Sequence, residues 1–511
     1  MKQATPLWVR RLGAALALGL CTTASVWAGK ANDTLVYASD SEVENISPYH
    51  NNMREGVILS HMAWDTLIYR DPHSGEYKPQ LATKWEWESP TALVLDLRDG
   101  VTFHNGDAFG ADDVVYTFNV VTGPDAKITT RQNTGWIDHV EKLGNTQVRI
   151  VLKAPFPAAL EYLAGPTPIF PAAYVEKVGL EGFSKAPVGT GPYRITAVQP
   201  GQGVTMEKFD GYFAASAKGQ PAIGKVVFKV IRDPEARAAQ LMTGEVDWIW
   251  RVPADQADAM GAMPQLAVLS DETMRVGFLT LNNHGESPAS APFKDVRVRQ
   301  AVNHAINREA IAANLVRGGS QVVHAPCFRT QFGCETAGVT QYAYDPAKAK
   351  ALLAEAGYPD GFETDLWAYR EREYAEAMIG DLRKAGIRAR LHFVQYPAMR
   401  AEAASGRAAM TFQAWGSYSV NDASAFVGNY FTGGPDDTAK DPQVIELVQA
   451  GNTAIEPEVR KQKYAQALDR ISAEAMWAPL FSYSVNYAFT SDLQFEAFPD
   501  ELPRFFLSSW K

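Results

Sequence analysis

The chain has 511 residues, of which 46% are hydrophobic and 21% charged, and its formal net charge is −10. That much apolar material builds a large core in more than one lobe and excludes a disordered or fibrous chain. The acidic total argues against nucleic acid or an anionic membrane surface as a partner.

Residues 1–28 differ from the rest. Lys2, Arg10 and Arg11 precede an apolar run from Leu12 to Leu20, and Val26-Trp27-Ala28 offers small residues for cleavage near Ala28. This pattern predicts a cleavable export signal, too short to span a membrane, and its loss takes the net charge from −10 to −13. Leu20 stands where lipidation of Cys21 wants a small residue, so Cys21 reads as an ordinary leader residue. The Arg10-Arg11 pair lacks the neighbours of a twin-arginine signal, which leaves general secretion.

After the leader, strand and helix signals alternate. Leu93, Leu95 and Leu97 alternate with polar residues, as do Val148, Ile150 and Leu152, and both runs predict half-buried strands. Asp99-Gly100 and Asn105-Gly106 are tight-turn pairs ahead of a helix opening at Ala111-Asp112-Asp113 and running through Phe118. In PVGTGPYRI (187–195), two glycines and two prolines surround Thr190, a composition for a rigid turn feeding a strand; a phosphate loop would need a Lys-Ser/Thr ending and a helix. A capped helix, Asp233-Pro234 to Met242, leads through Gly244 to a strand at Val246–Ile249. In PFKDVRVRQAVNHAINREAI (292–311), Asp295 and Asn307 cap successive helices, with Val298, Val302 and Ile306 as a core stripe. His304 reads as a satisfied helix histidine, and Arg297 and Arg299 as a solvated face.

Cys327 and Cys334 lie close together in a loop with Pro326 and Gly333. In an oxidising compartment they read as a local disulfide, which stabilises by about 2 kcal/mol and rigidifies the loop. Metal binding is the weaker alternative, because His324 is the one further ligand nearby. Downstream, Asp345-Pro346 starts a helix that ends at Gly357. Thr364–Tyr369 reads as a strand, Ala375, Ile379 and Leu382 as a helix stripe, and Ile387 to Phe393 as a second strand, which together form a β-α-β unit. Tyr464, Leu468 and Ile471 mark a late helix. No HExxH, HxH or Gly-x-Ser-x-Gly motif occurs, and the one Ser-x-x-Lys, Ser508 to Lys511, has no helix to hold it. No enzyme is expected, and no cofactor or resident metal.

Three segments in fixed order, LVLDLRDGVTFHNGDAFGADDVVYTF (93–118), PVGTGPYRI and PFKDVRVRQAVNHAINREAI, resemble the extracellular solute-binding proteins, family 5, which feed peptides and related solutes to ABC importers. The resemblance implies an α/β, two-lobed periplasmic binding protein (type II, Venus-flytrap) with an extra subdomain inserted in lobe I. Lobe I would comprise 29–69, 189–283 and 484–511, the insert 70–188 and lobe II 284–483, with chain crossings near 283 and 484 as the hinge.

It also implies a monomer that binds a small peptide-like solute between its lobes and delivers it to inner-membrane ABC permease subunits. Trp250, Trp367 and Trp415 fall where the family lines its cleft. Dipeptide binders place an arginine for the ligand carboxylate soon after a DLW-like strand, where Arg370 and Arg372 stand. They pair the ligand amine with an Asp three residues past a Trp; here Tyr418 occupies that position, and the nearest carboxylate is Asp422. Tyr49, His50 and Asn51, after a Ser-Pro turn, complete the ligand-facing set. Because of the departure at Tyr418, a modified peptide, an opine or a sugar conjugate is the alternative solute. His50, His61 and His324 motivate a metal or haem complex on the same fold. A secreted hydrolase is a further reading, and a sensory role is not separable from transport by sequence.

Overall fold

The computed structural model describes residues 28–511 apart from 44, 52, 125, 130 and 286, and apart from the side chains of 132 and 418. The export-signal reading of residues 1–27, Cys21 included, lies outside the described residues, as does the side chain of Tyr418.

Two long antiparallel strands, Leu266–Leu281 and Trp477–Thr490, run side by side through the centre of a ten-stranded sheet. Their pairing slips register between Glu272 and Val276. The two ends of this pair serve different neighbours. Tyr487–Phe489 pair with Trp248–Trp250, beyond which come Thr34–Ser39, Lys225–Val230, Gly203–Lys208 and Tyr193–Gln199; Val276–Leu281 pair instead with Met410–Trp415, then Phe362–Ala368 and Ile387–Phe393. Separate hydrophobic cores form on the two sides, one around Tyr37, Trp248 and Phe505 and another around Leu281, Val302 and Leu366.

The β-α-β unit is present. Phe362–Ala368 and Ile387–Phe393 pair in parallel, and helix Arg372–Ala385 buries Ala375, Ile379 and Leu382 against them. The alternating leucines pair as their period demands: Leu93 stands opposite Ile150 and Leu95 opposite Val148, in an antiparallel four-stranded sheet completed by Ala82–Ser89 and Ile137–Gly144. At the start of helix Ala111–Thr122 the Asp113 carboxylate reaches back to accept the Gly110 N–H at 2.8 Å.

The first two motifs dock on each other. His104 N–H donates to Gly189 O and its Nε2 to Gly191 O, at 2.8 and 2.9 Å, while its Nδ1 accepts the Gly189 N–H at 3.2 Å. A Cβ at Gly189 would stand 2.0 Å from Ala63 O, so only glycine lets this turn press on the end of helix Arg54–Ala63. The turn is structural, as its composition indicates.

Asp295 and Asn307 cap their helices as predicted, accepting from Arg297 N and Ala310 N. His304 is satisfied, its Nδ1 donating to Ala343 O at 2.8 Å. Arg299 departs from its expected solvated face. It is buried, and its guanidinium caps the carbonyls of Phe293 and Glu474, because a side chain with five donors can satisfy loop oxygens that nothing else reaches. Cys327 and Cys334 are joined as a disulfide. Among the described residues no helix is long and apolar enough to cross a membrane, and no group of three His, Cys, Asp or Glu side chains could hold a metal.

Candidate functional site

A cleft of about 340 Å³ opens beside the register slip of the two central strands. Helix Arg54–Ala63 forms one wall; its face at i, i+3 and i+7 presents Arg54, Val57 and His61. Tyr69 and Arg70 come from the end of strand Ile68–Arg70, and Glu161 and Pro168 from the segment around helix Ala159–Ala164. Arg251 and Arg275 enter from the central sheet, Trp415, Gly416, Ser419 and Val420 from the opposite half, and Asp500 and Arg504 from the C-terminal segment.

Five arginines therefore face a cleft whose own lining carboxylates are Glu161 and Asp500. Arg504 grips Asp500 with both terminal nitrogens, at 3.0 and 2.6 Å. Burial pushes the Asp500 carboxyl up, but Arg504 and Arg70 overcome it and hold it at about 2. Arg70 Nε lies 3.2 Å from Glu161, which also accepts from Tyr77 Oη and Asn421 N. Burial still raises the Glu161 carboxyl above its ordinary range. Arg54 and Arg275 share one carboxylate, Glu501, at 3.0 and 3.1 Å. Against its burial, those two cations hold Glu501 well below the usual carboxylate range. Arg251 is stacked on Trp250 at 4.2 Å, with its nearest carboxylate, Asp40, at 3.9 Å. His61 is kept neutral: burial, with Arg504 and Lys218 adding to it, lowers its imidazole to about 3. The result is a positively biased cleft in a protein of net charge −10.

Backbone strain gathers at the same place. Arg251, Ser417, Ser419 and Glu501 all have positive φ, at 54°, 48°, 65° and 58°. Non-glycine residues hold such angles only where their surroundings over-determine them, which is common at ligand sites.

Of the ligand-facing set suggested by the sequence, Asn51 and Trp415 line this cleft, as does His61 but not His50 or His324 of the three histidines. Asn51 fixes the loop, donating to Asn45 O and accepting from Met53 N, and Trp415 donates to Ala425 O. Tyr49 is buried behind the wall with its hydroxyl on Pro168 O, and His50 bonds Ser47 Oγ. Trp250 is a core residue whose indole donates to Ser39 Oγ. Trp367 stacks on His392 at 4.2 Å, away from the lining. Arg370 pairs with Glu371 and lies over the Tyr483 ring; Arg372, on the surface, pairs with Glu376. Neither lines the cleft, because the chain turns at Glu371, at φ 38°, and starts the helix that carries Arg372 outward. Asp422 is buried and receives Arg460 Nη2 on both oxygens at 3.0 Å, so its charge is already matched. The arginines that do face the cleft lie far apart in the chain, with no shared motif, and no local spacing marks them.

The family model described as bacterial extracellular solute-binding proteins, family 5 Middle, matches residues 76–438. The chain belongs to this family. Among curated relatives, the glutathione-binding protein GsiB of Salmonella paratyphi A is 28% identical over 488 residues, covering 91% of this chain and 92% of that protein. Among solved structures, HbpA2 from Haemophilus parasuis superposes with a TM-score of 0.82 at 25% identity, covering 94% of this chain and all of that one. A dipeptide-binding protein from Pseudoalteromonas sp. SM9913, solved with Met-Leu, superposes at 0.77 and 23% identity over 94% of this chain and 100% of its own, which shows the shared fold. As in the other solute-binding proteins of family 5, the fold is two-lobed, and the family is one of binding proteins.

Proposed function

We propose that this chain is the periplasmic substrate-binding component of an ABC importer and that its cleft takes a small, acidic, peptide-like solute. The observation that carries the reading is the charge of the lining: Arg54 and Arg275 share the single carboxylate Glu501, which leaves a guanidinium edge for a ligand carboxylate. An unpaired ion in a closed cleft is costly, so an anionic ligand is the natural complement. Glu161 and Asp500 are already engaged by Arg70 and Arg504, so the lining keeps its cationic bias, and Tyr69 and Trp415 offer aromatic walls.

Closure is supported by bonds that already span the cleft, Arg54 to Ser419 at 2.7 Å and Asn421 N–H to Glu161 at 2.7 Å. The hinge lies at the register slip, Glu272–Val276 against Ser482–Ser484, a few residues before the crossing near 283 that the sequence suggests. A solute bridging both sides must favour the closed form by about 5.5 kcal/mol to swing a full population. The periplasm suits the disulfide, and delivery of the closed form to an inner-membrane permease completes the cycle.

Native mass spectrometry of protein purified without denaturation, followed by calorimetry with glutathione, Met-Leu and a lysine dipeptide, tests the reading. The expected result is a retained anionic solute and at least tenfold preference for the acidic peptide. Preference for the basic peptide, or chemical conversion of the bound solute, would overturn it.

A further inference from the structure

The disulfide loop reaches directly into the cleft wall. Gln331 lies inside the ring closed by Cys327 and Cys334 and is 4% exposed. Its Oε1 accepts the Phe328 N–H at 2.9 Å, and its Nε2 donates to Ser417 Oγ and Val420 O, both at 2.8 Å. The next residue continues the clamp: Phe332 N–H donates to Asn421 O at 3.1 Å, and Ala423 N–H returns to Phe332 O at 2.9 Å. One short loop thus grips the wall segment at Ser417, Val420, Asn421 and Ala423.

That segment needs restraint from outside. Ser417 and Ser419 hold left-handed backbones, at φ 48° and 65°, which serine does not favour. In this conformation Ser419 Oγ accepts from Arg54 at 2.7 Å while donating to Asp500 O at 2.8 Å. Gln331 is not itself a lining residue, and its hydrogen bond to Val420 O reaches one that is.

We infer that Gln331, fixed by the Cys327–Cys334 loop, is a positioning residue that holds 416–421 in its solute-ready conformation, so that the intact disulfide governs how well the cleft accepts its solute. The inference rests on the cleft being the solute site. Gln331→Met keeps the buried volume and removes every hydrogen bond of the amide; a Cys327→Ser/Cys334→Ser double variant frees the loop instead. In hydrogen–deuterium exchange of the full-length mature protein, both variants should speed exchange at 417–423 by at least tenfold while the strand Phe362–Ala368 keeps its wild-type rate. Wild-type exchange at 417–423 in both variants overturns the inference, and so does uniform acceleration throughout the chain, which would make Gln331 a general packing residue. Glutathione serves as the binding probe. If wild type binds it, Gln331→Met should weaken binding at least tenfold, and equal affinity overturns the inference. If wild type does not bind it, the choice of solute falls while the exchange result still decides the positioning role.

Discussion

Glu501 takes both prongs of Arg275, Nε on one carboxylate oxygen and Nη2 on the other, each at 3.1 Å. Arg275 sits in the register slip of the central strands and Glu501 in the C-terminal segment that also supplies Asp500 and Arg504 to the cleft, so the pair ties those two parts of the chain together. Arg54 takes a further place on the same carboxylate at 3.0 Å.

Removing that carboxylate exposes two buried cations to each other. Glu501→Gln should lower stability by about 3 kcal/mol in chemical denaturation. An acidic solute would then supply the missing charge, so the rise in melting temperature on adding it should be larger in the variant than in wild type. An equal rise would show that the ligand carboxylate docks elsewhere.

Two arginine variants separate the cleft from the surface. Arg275→Ala should weaken an acidic solute at least tenfold by calorimetry, a loss of about 1.4 kcal/mol or more. Arg372→Ala should leave affinity unchanged and stability within about 0.5 kcal/mol, since its side chain is exposed and makes one i,i+4 pair with Glu376. The reverse ranking would return the ligand clamp to the helix that starts at Arg372.

Asp422 and Arg460 form a buried pair on the far side of the cleft segment. Asp422→Asn should cost about 3 kcal/mol, because Arg460 is left buried without its counter-charge. Affinity of the folded fraction should fall less than for Arg275→Ala. A selective loss of amine-bearing solutes with unchanged stability would instead place Asp422 in contact with the ligand.

Acid stability follows from two depressed groups. The Asp500 carboxyl, at about 2 in the folded protein, lies below its unfolded value of about 3.9, so its contribution is whole above pH 4 and is lost as pH falls towards 2. His61, at about 3, is also depressed from about 6.5, so the unfolded chain binds that proton first and stability declines from pH 6.5 downward. His61→Phe should therefore flatten the melting temperature between pH 6.5 and 4, removing a dependence of about 3 kcal/mol once partial solvent access is allowed for. An unchanged slope would mean that the imidazole charges freely in the cleft.

Much of the fold was legible before any coordinates. Period-2 leucines at 93, 95 and 97 can bury one face only as a strand, and Asp345-Pro346 or Asp295 can satisfy free helix N–H groups only at a start. These are short-range causes, and the sequence writes them out in order. Cys327 and Cys334 likewise needed only proximity in the chain.

The sequence by itself determined the kinds of element, the family resemblance and the local disulfide, because each depends on residues within a turn or two of one another. Only the tertiary structure decided which charges meet. Arg54, Arg275 and Glu501 are separated by more than two hundred residues at each step, yet share one carboxylate. Arg370 and Asp422, promising by local motif, were matched instead by Glu371 and Arg460. The physical reason is that a charge is satisfied by whichever partner is nearest in space in a low-dielectric setting, and sheet register and chain reversal set that distance independently of local pattern.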